Sequence, residues 1–457
     1  MRYERDVLLL LLLPLICLVN GGCKKSAFLD AIPDQSQVVP SSIADCQALM
    51  DNDEVMNGFG SSGYPSLGEI GSDDYYASKA QYNLYAPTDQ NAAIWATTIY
   101  SGTGDAVDWD LPYRVVFYAN EVMQELGTLA QTPAAGWNNA EGSAFFYRAF
   151  AFYQLAQIFA PVYDSSSAGT DWGIPLRLSA DVSEKITRAT VQQTYDRITG
   201  DLTAALPLLP DLPASYPTRP SRAASYGLLA RVYLSANDYP KALAYSDSCL
   251  QIQHALMNYD TVMPAGLFPF YRWNSEVIFS AEYYSAGPSA NALSYPDSTL
   301  FASYQPGDLR KGLFFKYGYF LGRYDQDGYC FCGLATDEMY LIRAECYART
   351  GNVTAAMNDL NTLLQARWAG GSFTALTATD GQDALRQILM ERRKELLFRG
   401  LRWTDLRRLN KDPGTAVTLY RTVNGNVYTL PPNDKRYVYP IPDNVISFNP
   451  EMPQNPR

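Results

Sequence analysis

The sequence predicts a mainly α-helical fold in which helix pairs form a scaffold and long irregular loops are inserted between them. Three observations carry this expectation. Several stretches repeat apolar residues at helical spacing, two segments in the second half of the chain share one small/large pattern, and a tyrosine-, glycine- and proline-rich region lies between those two segments.

Residues 41–57 have the pattern of a first helix, and 113–126 that of a second, with Val116, Tyr118, Asn120 and Met123 facing neighbours. Residues 140–159 carry Phe145, Phe146, Tyr147, Phe150, Phe152 and Tyr153, apolar most of the way round, which predicts a helix buried on several sides. Residues 190–206 read as an amphipathic helix with Val191, Tyr195, Ile198, Leu202 and Leu206 on one stripe. Pro207, Pro210, Pro213, Pro217 and Pro220 then interrupt helicity.

The repeat follows. Ala230, Tyr233, Asn237, Tyr239, Ala242 and Cys249 are echoed by Ala344, Tyr347, Gly351, Val353, Ala356, Leu360 and Leu363. Two short helices crossing closely need small residues at the crossing and a large one beside it, so the spacing is tetratricopeptide-like. On this spacing Tyr195, Tyr233 and Tyr347 are helix-core residues. The region near 263–336 interrupts the array, and long excursions from a helical frame are where ligand surfaces tend to lie. A last long helix is expected over 383–409, with i,i+4 pairs such as Glu395 with Arg399, before an irregular proline-rich tail from Tyr437.

The start of the chain bears on compartment. Arg2 and Arg5 precede an apolar run from Val7 to Val19, too short for the roughly 20 residues a membrane-spanning helix needs, so residues 1–22 read as a secretory leader. Asn20-Gly21-Gly22 places small residues before Cys23, the expected lipidation site. Asn20 stands where lipoprotein signals usually carry Leu, and Pro14-Leu15-Ile16 makes Cys17 a poorer acceptor. Ordinary secretion with Cys23 as a free thiol is the alternative. Acyl chains contribute about 0.8 kcal/mol per buried CH₂, enough to attach the protein without a transmembrane helix. Residues 23–40 then form a lipidated tether to a single domain over 41–457.

Composition narrows function. The formal net charge of −11 argues against nucleic-acid binding and against adherence to anionic lipid, and the one histidine, His254, excludes a histidine-rich metal site. Cys330-Phe331-Cys332 is too tight for a Cys-x-x-Cys loop and has no second pair to complete a zinc site. Asp325-Gln326-Asp327-Gly328 opens like a calcium loop but lacks the later ligands. No cofactor is expected. With 34 tyrosines and 7 tryptophans, the chain is rich in rigid apolar faces of the kind that stack on sugar rings.

Several motifs resemble one family. Phe28-Leu29-Asp30 and Pro33 follow the anchor cysteine. Thr190 to Leu209 ends in Leu-Pro. Glu391-Arg392-Arg393-Lys394-Glu395-Leu396 precedes Phe398, Gly400 and an arginine-rich stretch to Arg408, and Tyr439-Pro440-Ile441-Pro442 precedes Asn449-Pro450 and Gln454-Asn455-Pro456. In this order they are similar to the SusD/RagB family of outer-membrane nutrient-binding lipoproteins. Arg399 departs from the family, which usually has an acidic residue there; a changed local ion pair is expected, with the fold retained. The resemblance implies a surface-exposed, lipid-anchored protein partnered with a SusC-type TonB-dependent transporter, frequent oligosaccharide binding, and no catalysis.

Non-catalytic capture of an oligosaccharide or similar solute is therefore the first functional expectation. Its candidate contacts are Asp73, Asp74, Tyr75 and Trp95 in one excursion and Trp273, Tyr283 and Tyr284 in another. A glycoside hydrolase would need two carboxylates about 5 to 5.5 Å or about 6.5 to 9.5 Å apart across a cleft, and no spacing in the sequence pairs them. A structural or adaptor lid for the transporter, with little ligand affinity, is the third reading.

Overall fold

The structure is a computed structural model that describes residues 40–457 apart from 61–62, 101–105, 130–134, 264–265, 285, 290–293 and 325–327. The leader, Cys23, residues 23–39 of the tether, the Phe28-Leu29-Asp30 motif and the calcium-like Asp325–Asp327 lie outside the described residues. Ser41–Arg457 forms one compact unit.

Helix α1 (Ile43–Met50) begins where the Ser42 hydroxyl accepts the Asp45 N–H. The expected 41–57 helix is divided, because Asn52 caps a separate short helix, Asp53–Met56, by accepting the Val55 N–H. Helices α2 (Val107–Thr128) and α3 (Ala135–Phe159) pack against each other, and Phe146, Phe150 and Phe152 of α3 are wholly buried, consistent with its all-round apolar sequence. Helix α4 (Val191–Ala205) starts at a reciprocal cap between Thr190 and Gln193 and buries Val191, Tyr195, Ile198 and Leu202 against the same core.

The repeated segments form two helix pairs, α5 (Arg222–Ser235) with α6 (Tyr239–Ile252), and α7 (Thr336–Arg349) with α8 (Val353–Gln365). Both turns are the same. Asn237 (φ +58°) and Gly351 (φ +82°) adopt the left-handed conformation, and the next N–H reaches back to the carbonyl of Tyr233 or Tyr347, each at 2.9 Å. Helix α6 packs on α7, so the pairs are neighbours across the insertion. Tyr195 is buried as expected; Tyr233 and Tyr347 are only half-buried, because their positions at the helix ends leave one edge to solvent.

The expected 383–409 helix is two: α9 (Gly381–Glu395) and α10 (Arg402–Leu409). Phe398 (φ +56°) and Gly400 (φ +69°) adopt left-handed backbone between them, which ends the helix. This break changes the expected ion pairs. Glu395 turns inward to Arg367 (2.7 Å) and Arg310 (3.0 Å), while Arg399 pairs with Asp337 at 2.8 Å and covers the Tyr324 ring. The expected side-chain pair between Glu395 and Arg399 is not made.

The insertion folds around an aromatic cluster in which its Phe270, Tyr304, Phe314 and Tyr324 are buried together with Tyr75, Tyr259 and Phe398 from outside it. Its few strands are short. The tail is held by Tyr439 and Ile441, both fully buried. Among the described residues no helix is long and apolar enough to cross a membrane.

Candidate functional site

Two short strands, those of Tyr76 and Tyr420, border one cleft, and two further segments adjoin it. Strand β1 (Tyr75–Tyr76) pairs antiparallel with β2 (Tyr295–Pro296), setting Tyr76 opposite Tyr295. Strands β3 (Phe315–Lys316) and β4 (Tyr319–Phe320) form a hairpin, as do β5 (Leu419–Val423) and β6 (Asn426–Leu430). Their turns, Tyr317-Gly318 and Asn424-Gly425, have positive φ at both central residues, the geometry that matches strand twist.

Successive side chains of a strand point to opposite faces. Tyr75 is accordingly 4 % exposed and Tyr76 50 %. Tyr76 lies 5.4 Å from Tyr295, and Tyr295 lies 5.3 Å from Tyr319 with the rings 14° from parallel. Three tyrosines from β1, β2 and β4 thus make a continuous ladder, and Tyr76 opens onto a cleft of about 470 Å³ that Tyr420 borders from β5. Tyr420 is 70 % exposed.

The cleft floor is charged but internally neutralised. Arg402 grips Asp73 through hydrogen bonds of 2.7 and 2.9 Å, and Arg393 reaches Asp73, Asp74 and Asp297 at 3.3, 3.2 and 3.8 Å. Burial raises the Asp73 pKa, but the Arg402 and Arg393 charges outweigh it and hold the carboxyl well below its usual range. Asp74 is pushed up to about 6 by burial, against the pull of Arg393, and Glu69 behind it to about 8 by burial and the Asp74 charge. Arg421 binds the carbonyls of Ile70, Ser72 and Ala93 and the Tyr75 hydroxyl, and its guanidinium covers the Tyr75 and Trp95 rings at 4.3 and 5.1 Å.

Of the residues singled out by sequence, Asp73, Tyr75 and Trp95 line this cleft. Tyr75 and Trp95 do so as wall, not as platform: the Tyr75 hydroxyl donates to Ile70 O (2.6 Å), the Trp95 indole to Gly71 O (2.9 Å), and Arg421 lies on both rings. Asp74 and Tyr283 are interior, the Tyr283 hydroxyl donating to Phe398 O, so neither offers the exposed contact expected of it. Tyr284 is half-buried, with its backbone N–H on Tyr64 O. Trp273 is not part of the cleft lining; it pairs with Tyr216, ring centroids 4.4 Å apart. The residues that sequence reasoning missed are Tyr76, Tyr295, Tyr319, Tyr420, Arg393 and Arg421. The Asn424-Gly425 dipeptide was a readable hairpin signal for Tyr420; nothing local marks the ladder.

Residues 27–234 match the family model described as starch-binding, associating with the outer membrane (SusD-like), and residues 336–457 match that of the SusD family. The chain belongs to the SusD/RagB family. It is 24 % identical to SusD-like protein P2 of Formosa agariphila, over 85 % of this chain and 86 % of that one. In fold it is similar to a SusD superfamily protein of Bacteroides fragilis (19 % identity, TM-score 0.73, 91 % of this chain and 100 % of the other). It is also similar to a SusD-like carbohydrate binding protein of Bacteroides vulgatus (21 % identity, TM-score 0.65, 90 % and 98 %). SusD/RagB proteins are non-catalytic nutrient-binding proteins linked to TonB-dependent transport, and the hydrolase reading is set aside on that ground. The site agrees in its chemistry, since its two carboxylates are held by arginine: Asp73 by Arg402 and Arg393, and Asp297 by Arg393.

Among the described residues no group of three or more His, Cys, Asp or Glu side chains is arranged to hold a metal. Cys46, Cys249, Cys332 and Cys346 are buried free thiols.

Proposed function

We propose that this SusD-family protein captures an oligosaccharide in the tyrosine-bordered cleft and hands it to a SusC-type TonB-dependent transporter. The observation that carries the reading is the ladder Tyr76–Tyr295–Tyr319 leading to a cleft with a charged floor. Aromatic faces remove the apolar faces of sugar rings from water, while arginine and carboxylate groups satisfy hydroxyls that are costly to bury unpaired. The solved carbohydrate-binding relative supports the choice of ligand class. Asp73 would contact the sugar directly, Tyr75 and Trp95 would shape the wall, and Trp273 with Tyr216 and Tyr284 would form an auxiliary contact.

We further infer lipid attachment at Cys23 after removal of residues 1–22, anchoring at the outer face of the outer membrane through the 23–40 tether, and tetratricopeptide-like character for the α5–α6 and α7–α8 pairs. The shared left-handed turns at Asn237 and Gly351 support the last point.

Calorimetric titration of the soluble chain starting after Cys23 against plant, host and microbial oligosaccharides, with peptides alongside, tests the proposal. A saturable signal with at least one oligosaccharide supports it. A folded protein that responds only to peptides, or to nothing, replaces it with a non-glycan nutrient or with a mainly structural lid.

A further inference from the structure

A second cavity, of about 220 Å³, lies at the end of α10, between the segment after α3 and the tail. Its walls include Pro161, Val162, Val438 and Pro456; Lys411, Asn433 and Asn455 line it with side chains bonded elsewhere, Lys435 stands exposed at its edge, and Arg407, Asn410 and Tyr437 are the buried donors that concern it. Arg407, Asn410 and Tyr437 are each more than nine-tenths buried. The Asn410 side-chain oxygen accepts the Val417 N–H, but among the described residues its Nδ2 has no hydrogen-bond partner, and neither has the Tyr437 hydroxyl. The two groups are near neighbours: a long side-chain hydrogen bond from Asn410 opposes the burial that pushes the Tyr437 hydroxyl up to about 12, and it falls short of full hydrogen-bond geometry. A buried donor left unpaired costs about 1–3 kcal/mol, so two in one cavity call for an acceptor between them.

Arg407 makes the same demand through its charge. It donates to the carbonyls of Gln157 and Ala160, which ties down the end of α3, and among the described residues it pairs with no carboxylate. Its neighbours on α10 differ: Arg402 holds Asp73, and Arg408 holds Glu345 and Asp405. Burial pulls the Arg407 pKa down to about 10. The carboxylates at the rim are occupied, Asp434 by Arg436 and Asp171 by the Ser167 hydroxyl. A buried cation without a counter-charge, two idle donors and apolar walls define an acceptor-seeking pocket, smaller than the roughly 300–1,000 Å³ of drug-sized sites.

We propose that this cavity is a second ligand site, separate from the tyrosine cleft, for a small organic carboxylate whose oxygens accept from Arg407, Asn410 and Tyr437 and whose carbon skeleton rests on the proline and valine walls. The carboxylate can belong to a sugar acid or to a short aliphatic acid. Size and apolar lining set the class; the hydroxyls of the ligand distinguish the two sources.

The test is titration of the soluble chain starting after Cys23 with D-glucuronate, propionate and inorganic phosphate, read by calorimetry and by ligand-observed NMR. Saturable binding of glucuronate assigns a sugar acid, and of propionate a short aliphatic acid. Asn410→Asp keeps the Val417 contact and places a negative charge at the donor, so it is expected to weaken binding at least tenfold; Tyr437→Phe is expected to weaken it several-fold. Both variants should melt within a few degrees of the parent, and the signal should persist in Tyr76→Ala, which reads the glycan cleft instead. Binding of neither carboxylate at millimolar concentration, binding unchanged in Asn410→Asp, or phosphate bound as tightly as the carboxylates would overturn the proposal.

Discussion

Arg310 and Arg367 approach the Glu395 carboxylate from two sides, at 3.0 and 2.7 Å, and all three side chains are fully shielded from solvent. Asp308 and Glu391 complete the charge around Arg310, Glu276 does so for Arg367, and Lys394 reaches Glu391 and Asp308. The Glu391–Glu395 run is therefore the hub that fixes α9 to the insertion. Its one residue that faces the cleft, Arg393, inherits its position from that hub.

Removing one member of a buried ion network costs about 3–5 kcal/mol, because its partner stays buried without a counter-charge. Glu395→Ala is expected to lower the stability by that amount or to abolish folding, with Glu395→Gln intermediate. Equilibrium urea unfolding of the Gln variant checks this; a change within about 0.5 kcal/mol, the usual range for a surface site, would contradict it.

Gly400 should be intolerant for a conformational reason. A Cβ there would meet Tyr283 at 3.6 Å, an ordinary contact, but its φ of +69° is unfavourable for any residue with a side chain. Gly400→Ala is expected to cost about 1–2 kcal/mol, and Gly400→Asn less, since asparagine tolerates this region. Equal destabilisation by both would point to sterics instead.

Stability should fall as pH rises from about 5 to 8. Burial raises the carboxyls of Glu69 to about 8, Asp74 to about 6, Asp89 to about 7 and Asp337 to about 7. In that window the folded state holds protons that the unfolded chain has released, so unfolding gains as pH increases. A tenfold difference in proton affinity between the two states corresponds to about 1.4 kcal/mol. Asp73 and Glu345, held low by arginines against burial, act in the opposite sense: their contribution is present above the unfolded carboxylate pKa and lost in stronger acid. A melting profile with its maximum near pH 5, flattened in Glu69→Gln, is the expected result; stability rising steadily to pH 8 would contradict it.

The helices were legible because their signals are local. The Val191–Leu202 stripe, the all-round apolar α3 and the paired Tyr233/Asn237 and Tyr347/Gly351 spacings all fit the structure within a few residues. The break at Phe398–Gly400 was not, since a helical charge pattern continues straight through it and only the left-handed backbone at Phe398 and Gly400 marks the end of the helix. The cleft was legible in part. Asp73, Tyr75 and Trp95 lie in its wall, but Asp297, Arg393 and Tyr420 come from distant segments, and a two-residue strand is too short for alternation to be read, so Tyr76, the exposed residue of β1, was missed. Tyr295 joins Tyr76 only through strand pairing across more than two hundred residues, and Tyr319 joins by stacking on Tyr295 from a separate hairpin, relationships no local pattern encodes.

The central claim is that the tyrosine ladder holds the sugar, and the direct measurement is titration of the best-binding oligosaccharide against Tyr295→Ala and Trp273→Ala side by side. Losing a well-packed aromatic contact typically costs about 1–2 kcal/mol, so Tyr295→Ala is predicted to weaken binding about 5- to 30-fold, with Trp273→Ala changing it by less than about threefold. Full affinity in Tyr295→Ala together with a large loss in Trp273→Ala would move the site to the Tyr216–Trp273 pair and contradict the assignment of the cleft.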